Sequence, residues 1–457
     1  MPGGVASPED LWRVVSQEID TVVPLPTDRG WDVDAQGVDH PDEAPLLDDV
    51  AGFDNAFFDI DPDEARGMDP QHRLLLETCW EAVERARLDP KSLVGQRVGV
   101  FAGLSNSFYH GRFGWPDASV RGQQIYGSAL GAAAARVAYH LSLRGPALSL
   151  DSACASSLVA VHLASTALRN RECDLALVGG VSVIPSLYVF DDYHHNQKRP
   201  GDGRVKPFAA DADGSNLAEG VGVLLVERLS DARRHGHRVL AQVAGSAVDQ
   251  DGVRNTFGSL SPSGLERLVR TALADAQWEA GDVDAVEAHV PGNLAGDVME
   301  AEAYLNTYGR GHSRSDPVWI GSGKSNWGNP GASAGVAGII KMVMAMRHGV
   351  MPRTLHTEDP SPHVDWTSGG VSLLRRSRAW PDRGGPRRAA ISGFAAVGSN
   401  AHVILQQGDA DDADGPAGDA SGAAPARVVP WLLSARSDAA LREQAARLAE
   451  EAKRVSR

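Results

Sequence analysis

The run from Gly145 to Leu168 constrains the fold more than any other stretch of this chain. Gly145-Pro146 breaks the backbone, and Ala147-Leu148-Ser149-Leu150 then reads as a short strand. From Leu158 to Leu168 the residues are apolar nearly all round, which reads as a buried helix. Between them lies Asp151-Ser152-Ala153-Cys154-Ala155-Ser156-Ser157. Cys154 therefore falls where the strand turns into the helix, and free N–H groups and the helix dipole at such a point favour a thiolate. The small neighbours Ala153, Ala155 and Ser156 leave room for a bulky acyl group on the sulfur. A buried cysteine with no further context is more often inert packing.

Other short apolar runs read as buried strands, at 98–101, 175–178, 221–226, 240–244, 283–286 and 401–405. Helix-like segments at 70–86, 154–169, 263–276 and 332–347 alternate with them, which argues for an α/β fold. A length of 457 residues allows two or three domains, and one large body followed by a linker is expected. The formal net charge of −15 argues against nucleic acid as a partner. Three cysteines, Cys79, Cys154 and Cys173, are too few for a disulfide framework and fit a reducing cytoplasm. No apolar run reaches the ~18 residues that span a bilayer, and no signal peptide opens the chain, so a cytoplasmic protein is expected. Gly179-Gly180 and Gly220-Val221-Gly222 lack the Lys-Ser/Thr of a phosphate loop and read as turns. His194-His195 has no further ligands at metal spacing, and no metal is expected.

Four segments carry a resemblance to a known family. Asp151 to Ala164 follows the pattern D-T-A-C-S-S-S-L-V-A-x-H-L-A closely. Asp69-Pro70-Gln71-His72-Arg73-Leu74-Leu75-Leu76-Glu77, Gly321-Ser322-Gly323-Lys324-Ser325-Asn326 and Gly398-Ser399-Asn400-Ala401-His402-Val403 occur in the same order as in that family. Together they cover most of residues 2–407. The chain resembles the ketosynthase domain of modular polyketide synthases, a branch of the thiolase-like condensing enzymes. The resemblance implies a thiolase-like five-layer αβαβα fold with two similar halves, 1–235 carrying the nucleophile and 236–407 carrying its partners. It implies a homodimer, substrates presented on the phosphopantetheine arm of acyl carrier proteins, and no bound cofactor. The negative charge argues mildly against long-range attraction to an acidic carrier.

Each site residue follows from the same resemblance. Cys154 would take the acyl chain, with Gly393-Phe394-Ala395 giving a second oxyanion N–H and Phe394 acting as an acyl gate. Ala395 stands where the family has glycine. His289, in Glu287-Ala288-His289-Val290-Pro291-Gly292-Asn293, matches the first histidine of the family's condensing pair, while Pro291 and Asn293 replace two threonines that would bind the pantetheine arm. Pro291 has no N–H to donate. The second histidine is replaced by Asn329 in Lys324-Ser325-Asn326-Trp327-Gly328-Asn329-Pro330. Asn329 can donate an N–H but cannot carry charge or move a proton. Asp297, Glu300 and Lys324 match the buried support network, and Glu219 matches a structural glutamate. The expected function is acyl transfer without elongation: a polyketide chain is loaded from a carrier onto Cys154 and passed to another carrier thiol. One alternative is a decarboxylative β-ketoacyl synthase using Cys154, His289 and Asn329. A second is an inactive dimeric docking scaffold.

Both ends of the chain depart from the family. It opens at Met1-Pro2-Gly3-Gly4 without the family's I-A-I-V-G strand, so an edge or gap is expected in the first sheet. The family's aromatic-rich hairpin is absent between Trp31 and Phe53. Residues 408–426 are acidic, rich in small residues and aperiodic, and read as a disordered linker. Residues 427–457 begin with Arg427-Val428-Val429-Pro430-Trp431, resembling the start of a post-ketosynthase linker, and finish in an amphipathic helix over 439–455 behind Ser437-Asp438.

Overall fold

The computed structural model describes residues 1–34, 37–109, 122–196, 198–253, 260–409, 433–435 and 437–455. The linker expected over 408–426 lies outside the described residues apart from its first two positions. Two compact units result, one of Met1–Phe53 with Pro62–Asp409 and one of Asp54–Asp61 with the residues from 410 onward. In the smaller unit, Asp438–Val455 is a single helix with an Arg447–Glu443 ion pair one turn apart.

The larger unit holds two main sheets, beside two two-stranded pairs, Val23–Pro24 with Glu43–Ala44 and Val350–Met351 with Arg378–Ala379. The first comprises β1 (Val98–Gly103), β2 (Ala147–Leu150), β3 (Leu175–Ser182) and β4 (Gly220–Glu227), in the order β2-β1-β3-β4. The second comprises β5 (Ala241–Gln250), β6 (Ala285–Glu287), β7 (Val318–Gly321), β8 (Val371–Leu373), β9 (Arg388–Phe394) and β10 (Ser399–Gln407), in the order β8-β7-β6-β9-β10-β5. Both sheets repeat one pattern. β1 pairs in parallel with β2 and β3, and β3 is antiparallel to β4; likewise β6 pairs in parallel with β7 and β9, and β9 is antiparallel to β10. The repeats differ at one edge. β10 is flanked by antiparallel β5, whereas β4 is the edge strand of the first sheet.

Helices complete five layers. Pro70–Arg85 and Leu130–His140 lie on the first sheet, and Pro262–Ala276 lies on the second with Leu294–Asn306 beside it. Ser156–Arg169 and Ala334–His348 fill the space between the sheets, touching strands of both. Side-chain caps start several of these helices: Asp69 ahead of Pro70, Ser261 ahead of Pro262, and Asn293 ahead of Leu294. Leu158, Val161, Ile339, Met342, Ile391 and Val403 form part of the apolar core between the sheets. Each such side chain contributes about 1.5–3 kcal/mol by leaving water. Among the described residues no helix is long and apolar enough to cross a membrane.

Candidate active site

The turn that carries Cys154 is built by its neighbours' hydroxyls and a carboxylate. Ala153 has φ +48°, a left-handed conformation that costs a residue with a Cβ about 1–2 kcal/mol. Ser156 holds it there: its Oγ accepts from the Ser152 N–H at 2.8 Å and donates to the Ala153 carbonyl at 2.7 Å. Asp151 accepts from the Ala153 N–H at 2.9 Å and from Ser105 Oγ at 2.9 Å. Cys154 lies in a 3-10 turn, Ala153–Ala155, one step ahead of the helix Ser156–Arg169 rather than within it. β9 passes directly behind: a Cβ on Gly393 would lie 3.3 Å from the Cys154 carbonyl oxygen, so glycine permits the approach.

The electrostatics of this thiol correct one expectation. Burial pushes the Cys154 thiol up, against the opposing pull of Lys324, the Asn329 amide and its own backbone N–H. A thiolate here loses its water, and the Lys324 charge is shared with Glu287, Glu300 and Asp297. Position at a helix entrance alone does not outweigh that desolvation. Cys79 and Cys173 are also pushed up by burial, and the packing role expected for them fits their full enclosure.

Beneath Cys154 lies a floor of buried charge. Lys324 acts electrostatically on Cys154, His289, Asp297 and Glu300. Burial lowers Lys324 and raises both carboxyls. Glu300 accepts from the N–H groups of His289 at 2.7 Å and Val290 at 2.8 Å and from the Tyr304 hydroxyl at 2.6 Å. Asp297 accepts from the Phe208 N–H at 3.0 Å, and its Oδ1 has no hydrogen-bond partner among the described residues. Lys341 forms a 2.5 Å ion pair with Glu287, whose other oxygen accepts from the Gly323 N–H at 2.7 Å. That pair fixes the loop from which Lys324 emerges. Glu219 is likewise structural, bound to Arg29 at 2.5 Å and to the Leu47 and Ile184 N–H groups.

His289 follows β6, enclosed, with burial as the main cause holding it well below the usual histidine range and Lys324 adding to the shift. Its Nδ1 has no hydrogen-bond partner among the described residues, and its ring lies 5.8 Å from that of Phe394. Phe394 closes β9 at 1% exposure. The Ala395 N–H is not available to an oxyanion, because it donates to Ser399 O at 3.2 Å and Asn400 Oδ1 at 3.4 Å. The second oxyanion donor expected from this loop is therefore not Ala395.

Asn329 is 1% exposed, and its backbone is bound on both sides: its N–H donates to Asn216 O and its carbonyl accepts from Ala218, each at 2.9 Å. Its side-chain nitrogen lies 3.8 Å from Cys154 Sγ and 3.4 Å from the Tyr193 hydroxyl, while its Oδ1 has no hydrogen-bond partner among the described residues. Trp327 faces elsewhere, into a cluster with Met1, Leu11, Val14 and Val15. Pro291 sits half-buried before Gly292, and Asn293 accepts from the Gly296 N–H at 3.5 Å as the cap of Leu294–Asn306. Sequence reasoning missed Tyr193 altogether. Its helix, Tyr188–Asn196, carries no motif, and its partner Asn329 lies 136 positions away.

Two further features lie outside this group. Glu227, His235 and His237 bring ligand-type atoms within 4.8 Å of one another, the grouping of this kind found among the described residues. A 2.6 Å hydrogen bond between His237 and Glu227 accounts for their approach. A cleft of about 370 Å³ lined by Arg97, Asp174, Arg228, Asp231 and Arg234 is occupied by ion pairs among those residues.

Comparison with known proteins follows this geometry. Residues 1–232 match the model of the beta-ketoacyl synthase N-terminal domain, and residues 240–358 match that of the C-terminal domain. The chain is 51% identical over 458 residues to the spectinabilin polyketide synthase system protein NorB of Streptomyces orinoci, and 51% identical over 459 residues to the pikromycin polyketide synthase component PikAII of Streptomyces venezuelae. In each case 98% of this chain is covered, but only 21% and 12% of the relatives' own lengths. Among solved structures, the oxazolomycin ketosynthase domain OzmH KS7 of Streptomyces albus JA3453 superposes with a TM-score of 0.85 at 34% identity, over 97% of this chain and 78% of that one. The ketosynthase from module 6 of the bacillaene synthase of Bacillus subtilis 168 gives 0.81 at 32% identity, over 89% and 70%. With a thiolase-like fold and both halves matched, this chain belongs to the beta-ketoacyl synthase family as a ketosynthase of the modular type I polyketide synthases.

Proposed function

We propose that this ketosynthase moves a polyketide acyl chain between carrier-bound pantetheine thiols through Cys154 without elongating it. Cys154 Sγ attacks the carrier thioester carbonyl, a new S–C bond forms, and the departing pantetheine sulfur takes up the proton the cysteine gave. A second carrier thiol then reverses the step. The observation that carries this reading is Asn329, held beside Cys154 by its backbone and offering only an amide N–H. Transthioesterification needs a nucleophile and oxyanion donors. Decarboxylative condensation needs in addition strong stabilisation of an enolate, where one good donor is worth roughly 2.7–4 kcal/mol. Pro291 offers no N–H to a pantetheine arm, and Asn293 uses its side-chain oxygen to cap a helix.

A condensing reading has one observation in its favour. Buried His289 and Asn329 both retain nitrogen donors or acceptors, and His289 Nδ1 and Asn329 Oδ1 have no hydrogen-bond partner among the described residues. A homodimer through the first sheet is supported by β2, an edge strand with Leu148 46% exposed. Acyl carrier proteins are the partners that deliver and receive the chain, and no resident cofactor enters the reaction.

Peptide mapping after incubation with acyl-pantetheine thioesters tests the transfer reading. The acyl mass should appear on the peptide containing Cys154 and vanish in Cys154→Ala. Labelling at Cys79 or Cys173, or none with any carrier-bound chain, would overturn it.

A further inference from the structure

Asn329 has a fixed backbone but an amide whose two ends could exchange by rotation. What the nitrogen faces therefore matters. Its two N–H groups have two neighbours, Cys154 Sγ at 3.8 Å and the Tyr193 hydroxyl at 3.4 Å. A phenol can accept one of those N–H groups, and the carbonyl end would lose that partner's fit whenever the sulfur is anionic, since like partial charges would face each other.

Resting on Cys154 as the acyl-carrying sulfur, we propose that Tyr193 is a positioning residue for this site: it engages one N–H of Asn329 and thereby aims the other at Cys154 Sγ. Three features support the assignment. Tyr193 reaches in from a separate helix, Tyr188–Asn196, so it restrains the amide independently of the loop that carries Asn329. Its hydroxyl stays protonated throughout the working range, because burial and the charge of an ionised Cys154 push it up to about 12. It is thus a neutral hydrogen-bonding group rather than a second anion competing with the thiolate. Finally, the charges acting most on Cys154 oppose each other: Lys324 favours the thiolate and Asp151 disfavours it. An amide N–H aimed at the sulfur adds a directional contribution that neither charge supplies.

The consequence is measurable at the sulfur itself. The rate of Cys154 alkylation by iodoacetamide, followed against pH by peptide mass, reports the thiolate fraction. Tyr193→Phe keeps the ring and removes the hydroxyl. It should move the alkylation midpoint upward by about half to one pH unit, a roughly three- to tenfold loss of rate below the midpoint. Asn329→Ala should move it upward by at least as much. Adding Tyr193→Phe to Asn329→Ala should change nothing further, because the phenol acts only through the amide. An unchanged or lowered midpoint in Tyr193→Phe, or shifts that add in the double variant, would overturn the proposal. Failure of the underlying reading looks different: wild-type alkylation would fall on Cys79 or Cys173, or acyl transfer would persist in Cys154→Ala.

Discussion

The floor and the rim of this site are built on opposite terms. On the floor, Glu300 collects three donors, Glu287 binds both Lys341 and the Gly323 N–H, and the Tyr304 hydroxyl, 2.6 Å from Glu300, also contacts Ser392. On the rim, the Asn329 side chain makes two long contacts, and its Oδ1 and the His289 Nδ1 have no hydrogen-bond partner among the described residues. Buried polar groups are normally satisfied, so the exceptions call for a use. Asp297 Oδ1 apart, the floor keeps its hydrogen-bonding capacity for the protein, and the rim keeps its capacity for an acyl thioester. Substitutions on the floor should therefore disturb stability and reactivity together, and those on the rim reactivity alone.

Lys324→Met gives the largest contrast. Removing the cation takes away a charge that opposes the upward push of burial on Asp297 and Glu300, and the variant should lose more than about 1 kcal/mol of stability. The Cys154 alkylation midpoint should also rise, by about one to three pH units, since Lys324 opposes the effect of burial there. Urea unfolding and alkylation profiles of the same variant check both effects. A shifted midpoint with unchanged stability would erase the distinction between floor and rim, as would a stability loss above about 1 kcal/mol in Tyr193→Phe.

A smaller effect belongs to the far end of the floor, where His402 is held between Ser392 at 2.9 Å and the Tyr308 hydroxyl at 2.7 Å. Burial pushes His402 down to about 3. The unfolded chain takes up a proton near pH 6.5 that the folded one refuses, so acidification favours unfolding. The contribution of His402 is fully present above pH 6.5 and shrinks by about 1.4 kcal/mol per pH unit as the pH falls towards 3. In urea unfolding, the stability advantage of wild type over His402→Phe should narrow between pH 6.5 and 5.5. A constant difference would show that His402 titrates normally in the fold.

The same division decides what could be read from the sequence. β2, Cys154 and the following helix were legible because an apolar strand, a small-residue turn and an apolar helix adjoin one another in the chain. β7 and β8, at four and three residues, are too short to show a period, and Arg-Ala-Ala-Ile-Ser-Gly-Phe in β9 mixes small and polar residues. The helix Leu294–Asn306 was hidden by its own function, since Asp297 and Glu300 are buried on it where apolar residues would mark the inward face. Floor residues carried local motifs. On the rim, the capping role of Asn293 and the bonded Ala395 N–H depend on backbone geometry, and Tyr193 meets Asn329 only through folding. The upward shift of Cys154 came from enclosure, which no local pattern around a helix entrance reveals.

Transfer of acyl chains without elongation is the function we propose for this site. Its most direct test incubates the unmodified protein with acyl-carrier, a second carrier and malonyl-carrier, and follows carbon dioxide release and carrier-bound products by intact mass. The account predicts acyl exchange between carriers, no useful carbon dioxide release, and little ketide product even after Asn329→His, because Pro291 and Asn293 are unchanged. Efficient carbon dioxide release with an extended ketide on the carrier would contradict it and establish Cys154, His289 and Asn329 as a condensing triad.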